Sequence, residues 1–223
     1  MTPLFALTLA GITFVGTHFA MSHPLRAAMV ARLGEGGFAI LYSLVSLVAF
    51  ASMAFAFSRA HADASYRWNV GDAGWVVGSL LMWAGSILFV GSLRRNPAFP
   101  TAGRTVERIG PATGVFAITR HPMMWGFAAW SMTHALVAPT AANLILSSAI
   151  AILALGGAAG QDVKKARLIG EAWRDWQART SFVPFGRGLA SPGAFALIGG
   201  TLLFLLATYA HGAIGAGPWR WLA

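Results

Sequence analysis

The chain has 223 residues, 57% of them hydrophobic and only 10% charged, with a formal net charge of +9 and no cysteine. A soluble domain carries about 25% charged residues, so this composition cannot cover a water-facing surface and points to a bilayer. Without cysteine there are no disulfides, thiolate metal sites or cysteine nucleophiles, which leaves His, Met, Tyr and carboxylates to hold any metal or cofactor.

Six stretches are apolar enough to supply the roughly 20 residues that a membrane-crossing helix needs: 4–20, 36–57, 73–93, 122–138, 143–160 and 192–211. The first lacks the basic start of a signal peptide and reads as a retained span. Ser22-His23-Pro24-Leu25-Arg26 then reads as a helix N-cap with proline in the first turn, which predicts a short interfacial helix to about Gly34. After the fifth span, Val163, Ala166, Ile169, Ala172, Trp173 and Trp176 recur at helical spacing among charged residues over 161–180. That pattern predicts a basic amphipathic helix lying in the interface plane. The expected fold is all-α: one polytopic transmembrane helix bundle over 1–223, with about six spans plus interfacial amphipathic helices.

Laying the basic residues on this topology gives a strong asymmetry. With the N-terminus outside, Arg59, Arg67 and Arg220 fall outside and every other Lys and Arg of the 16 falls inside. The positive-inside rule therefore predicts a multi-pass protein of the bacterial inner (cytoplasmic) membrane with both termini outside, in the periplasm. The +9 becomes topology and contact with anionic lipid, and no nucleic-acid-binding motif accompanies it.

Ionisable side chains inside spans are functional candidates by default. Here they are His18, His134 and His211, with His121 opening the fourth span at the inner surface and His23 and His61 outside the spans. The acids (Glu35, Asp63, Asp72, Glu107, Asp162, Glu171 and Asp175) all lie in loops or at span ends. A proton relay would add a carboxylate within the membrane, whereas neutral imidazoles suit axial ligation of haem iron inside a helix bundle. Trp130 lies one turn before His134 and Phe127 two turns before, with Ser131 at i−3 on the same face. Plain packing accounts for such an aromatic stripe equally well. By depth, His18 sits about 14 residues, or ~21 Å, into its span and His134 only ~6–8 Å from the outer end of its own, with His211 closer to His134.

Several blocks of sequence resemble a known family. Thr17-His18-Phe19 with Pro24-Leu25-Arg26, Leu33-Gly34-Glu35 and Tyr42-Ser43-Leu44-Val45-Ser46-Leu47 is similar to the opening of the NnrU family. Thr119-Arg120-His121-Pro122-Met123-Met124-Trp125-Gly126, running through Trp130 to His134, resembles its central signature. Gln161-Asp162, Gly170, Trp173 and Thr180-Ser181-Phe182-Val183-Pro184-Phe185 resemble its third block. The family also contains the plant and cyanobacterial 15-cis-zeta-carotene isomerase, a membrane enzyme that uses b-type haem. The resemblance implies haem b iron held by His18 and His134 as metal ligands and catalytic residues, and a lipophilic polyene substrate. It carries Tyr209-Ala210-His211 along as a shared feature. Trp130, Ser131, Arg120 and His121 complete the candidate cofactor-binding set. The isomerase has a cysteine where this chain has Ser131, which removes the thiolate ligand available there. By depth the iron pair can also be His134 with His211, and both pairings stay open. Bacterial family members were named for a link to nitrite and nitric oxide reduction, which makes an accessory or assembly factor the alternative. A second alternative is an S-adenosylmethionine-dependent enzyme of the isoprenylcysteine methyltransferase type, suggested by Arg120-His121-Pro122, Gly126 and Gly170-Glu171-Ala172-Trp173.

Overall fold

The computed structural model describes residues 1–61, 65–99, 109–214 and 217–221. Asp63, Arg104, Glu107 and Arg108, and the side chain of Arg220, lie outside the described residues. Among those described, all regular structure is helical. Helix α1 (Pro3–Ser22) starts at Thr2, whose hydroxyl accepts from the Phe5 N–H at 3.3 Å, with proline at its first position. The chain then turns through His23–Leu25 into α2 (Arg26–Ala60). There follow α3 (Gly71–Gly91), the single turn α4 (Val115–Ile118), α5 (Pro122–Val137), α6 (Ala141–Leu168), α7 (Glu171–Arg179) and α8 (Ala194–His211).

The helices pack side by side in the order α2, α1, α6, α5, α3, α8. One core cluster joins α1, α2 and α6 through Leu7, Phe14, Met53, Ala142 and Ala149. A second, built on Ile87, Val115, Phe116, Trp173 and Trp176, joins α3, α4 and α7. Large apolar side chains point outward along the helices, such as Val48 (65% exposed), Phe55 (68%) and Leu206 (68%). In water these would be a liability; in a bilayer they are the lipid-facing surface. Among the described residues, α1, α2, α3, α6 and α8 are long and apolar enough to cross a membrane. The expected fourth span exists as α5 but has 16 residues, about 24 Å at 1.5 Å per residue. That is short of a hydrocarbon core of ~30 Å. It is packed between α3 and α6, so protein covers its flanks.

Two local expectations are corrected. Ser22 is the last residue of α1 rather than a cap, and its hydroxyl donates to the Tyr42 Oη at 3.3 Å. The short helix expected there is the first arm of α2, which bends at Gly34, where φ is 71°. A side chain is strained in that left-handed region and glycine is not. Across the bend the Arg26 guanidinium pairs with Glu35 at 2.8 Å. The segment 161–180 is not one interfacial helix either: α6 runs on to Leu168, and α7 restarts after Gly170. Trp173 and Trp176 are 0% and 2% exposed, with Trp176 packed 6.1 Å from the Phe116 ring. They are core residues because α4 and the residues before it cover the face that the sequence pattern offered to lipid.

Candidate functional site

Two polar constellations occupy opposite ends of the bundle. The first is built on α3, which takes α5 on one side and α8 on the other. A Cβ placed at Gly85 would stand 2.7 Å from that of Ala129, and one at Gly200 would collide with the Ile87 backbone. These glycines therefore permit helix approaches that larger residues forbid. The Thr133 hydroxyl donates to the Gly78 carbonyl at 3.2 Å and Gly91 abuts Ala196, so α5 and α8 both run antiparallel to α3. Their C-terminal ends thus arrive together, and those ends carry His134 and His211.

The two imidazoles are set alike. His134 Nδ1 lies 2.8 Å from the Trp130 carbonyl and His211 Nδ1 2.7 Å from the Ala207 carbonyl. A carbonyl only accepts, so each Nδ1 carries a proton, and in a neutral imidazole Nε2 is then the nitrogen with the lone pair. The Trp130 ring stacks on His134 at 4.1 Å and 28°, fixing its plane. The His134 and His211 ring centres are 6.1 Å apart. Two imidazoles flanking one metal at bonds of about 2 Å have ring centres roughly 6 Å apart. Ser131 is buried, and its hydroxyl donates to the Phe127 carbonyl at 3.0 Å.

At the other end, Asp162 of α6 accepts from three donors. Arg120 reaches it through Nε at 2.9 Å and Nη2 at 2.7 Å, and His121 through Nε2 at 2.9 Å. Backbone bonds run from Arg120 N–H to Ser181 at 2.8 Å and from Phe185 N–H to Ile118 at 2.9 Å. The Trp125 indole donates to the Phe182 carbonyl at 2.8 Å. Arg120 also lies 5.4 Å over the Phe182 ring. The segments 118–125, 161–162 and 180–185 are thereby fastened into one knot at the start of α5. Beside it is a void of about 20 Å³ lined by Asn96, His121 and Gln161, the size of a single water. A groove of about 540 Å³ between α1 and α2 is lined by apolar residues with Thr13, Thr17 and Ser52. The three hydroxyls donate to carbonyls of their own helices, so the groove presents no free polar handle.

A family model described as NnrU protein matches residues 6–218. The chain belongs to the NnrU family. No curated protein and no solved structure matches it.

Within this NnrU chain the candidate residues divide into three places. His134, His211 and Trp130 are brought together; Arg120 and His121 are brought together with Asp162. His18 stands apart, its Nδ1 2.6 Å from the Phe14 carbonyl and its ring 5.6 Å from that of Tyr42. Helix α1 runs parallel to α6, with Gly11 beside Ala149 and Phe19 beside Gly156. His134, one turn before the end of α5, is level with the first turn of α6, so His18, beside residues 155–156, lies about eleven residues, or ~17 Å, further along the bundle. His61 stacks on Phe57 at the end of α2. Asp162 is not among the candidate site residues of the sequence, although Gln161-Asp162 belongs to the family's third block. Its signal was indirect: an arginine and a histidine side by side at a buried helix start need a carboxylate.

Proposed function

We propose that this NnrU protein binds haem b where α5 and α8 end, with His134 and His211 as the residues that would hold its iron. The observation that carries this reading is the 6.1 Å separation of the two rings, with both Nδ1 atoms held by carbonyls and neither Nε2 hydrogen-bonded among the described residues. Among the described residues no group of three or more His, Asp or Glu could hold a bare metal ion. Haem carries its iron within a macrocycle, so two imidazoles from the protein would suffice to hold it. Trp130 fixes the plane of His134, while His211, on the last turn of α8, is the less restrained of the two. Bound haem would supply an iron centre able to interact with an extended π-system. The activity that goes with it is cis-trans isomerisation of a lipophilic, carotenoid-like polyene entering from the bilayer. The exposed apolar side chains of α5 and α8, among them Phe127, Met132 and Leu206, suit such a substrate, and Ser131, bonded to its own helix, leaves the histidines as the ligands.

The test is the optical spectrum of purified protein from haem-supplemented cells, oxidised and reduced. A Soret band that His134→Ala abolishes, His211→Ala abolishes or shifts, and His18→Ala leaves in place is the expected result. Colourless wild-type protein sinks the haem reading, and loss of the band in His18→Ala with retention in His211→Ala would move the pair to His18 and His134.

A further inference from the structure

The turn between α1 and α2 and the polar extension of α6 bring together cations for which the structure offers too few anions. His23 packs against Gly160 of α6, which sets the residues after it beside Lys164, Lys165 and Arg167. Arg26 lies within electrostatic reach of both Lys164 and Lys165, and His23 within reach of Lys164 and Arg167. Among the described residues the one carboxylate at this cluster is Glu35, already paired with Arg26 at 2.8 Å. Asp162, although close in sequence, is engaged by Arg120 and His121. Among the described residues neither Lys164 nor Arg167 has a carboxylate within ion-pair distance, and the buried Lys165 ammonium has only a 3.5 Å bond to the Phe99 carbonyl. Among the described residues four basic side chains drawn from two helices thus face one carboxylate, an arrangement that repels itself until an anion arrives.

The rim of the cluster says which kind of anion. Leu25 (49% exposed), Leu33 (47%), Val163 (54%) and Leu168 (57%) stand around the cations. A free phosphate makes no use of exposed leucines; the phosphodiester of a lipid, with acyl chains beneath it, does. We propose that Arg26, Lys164 and Arg167, with Lys165 behind them, form a binding site for the phosphate of an anionic phospholipid, in the angle between the first arm of α2 and the end of α6.

The site is tested by native mass spectrometry of the full chain in detergent, titrated with phosphatidylglycerol or with phosphatidylcholine of the same chains. Wild-type protein should retain phosphatidylglycerol in preference to phosphatidylcholine. Lys164→Gln/Arg167→Gln should weaken phosphatidylglycerol binding roughly tenfold or more, since each interfacial cation contributes of the order of a factor of five. Arg174→Gln, on α7, is the control and should bind as wild type. Circular dichroism confirms that the variants are folded, and Lys164→Glu, which keeps the helix charged, provides a second variant with the same expected loss. Equal retention of the two lipids, unchanged binding in both cluster variants, or displacement of the lipid by millimolar inorganic phosphate would each overturn the proposal.

Discussion

Asp162 holds two donor side chains that are otherwise buried, and the balance there is asymmetric. A bidentate arginine–carboxylate pair is geometrically strong, but removing one partner strands the other charge, at about 3–5 kcal/mol. Asp162→Asn should therefore lower the thermal midpoint in detergent sharply, with no change in the haem spectrum of the protein that remains folded. Loss of the Soret band in fully folded Asp162→Asn would instead make this knot part of the cofactor site. His23 offers a pH-dependent counterpart. Burial, followed by the charges of Lys164 and Arg167, holds its imidazole below the ordinary value near 6.5. The folded chain thus binds fewer protons at this position than the unfolded one, so its contribution is complete above about pH 6.5 and declines as pH falls below it. Wild-type protein should lose more thermal stability between pH 7 and pH 5 than His23→Gln does, as read by parallel melting curves. A larger loss in the variant would show that the sign is wrong.

The α3 helix decides whether the histidine pair exists, because it sets the distance between α5 and α8. Gly200 meets the Ile87 backbone directly, and overpacking such a contact costs about 1–3 kcal/mol. Gly200→Leu should displace α8 from α3, lower the melting temperature and weaken or shift the Soret band, while leaving Asp162 and its partners intact. An unaltered spectrum would mean that His211 is not held by this contact. The elements themselves were legible in the sequence: five helices of sufficient length and α5 all fall on the apolar stretches, since hydropathy over about 20 residues reports the bilayer directly. Which helix lies beside which was not legible, because lipid and protein are equally apolar neighbours and periodicity cannot tell them apart. The same ambiguity explains why Trp173 and Trp176 read as interface anchors and proved to be core. His134 could be singled out from its own helix. Its proximity to His211 depends on the α3 register, and in the sequence only the similar depth of the two residues in their spans hints at it.

Viewed as a whole, the bundle has two chemically distinct ends. The backbone bond from Arg67 N–H to Pro139 at 3.0 Å and the Trp68 indole bond to Leu136 at 3.0 Å tie the α2–α3 and α5–α6 connections together at the His134 end. The opposite end gathers Arg26, Arg32, Arg94, Arg95, Arg120, Lys164, Lys165 and the arginines of α7. The positive-inside rule predicts that this crowded end faces the cytoplasm and that the proposed haem and polyene site faces the periplasm. The absence of cysteine from the natural chain makes this directly testable, because any thiol signal must come from an introduced residue. Tyr66→Cys, exposed on the α2–α3 connection, should react with a membrane-impermeant maleimide in intact spheroplasts. Arg174→Cys, on α7, should react only after permeabilisation. The reverse pattern would put the histidine pair on the cytoplasmic side and the lipid-phosphate cluster in the outer leaflet of the same membrane. It would also require the basic asymmetry to arise from something other than insertion.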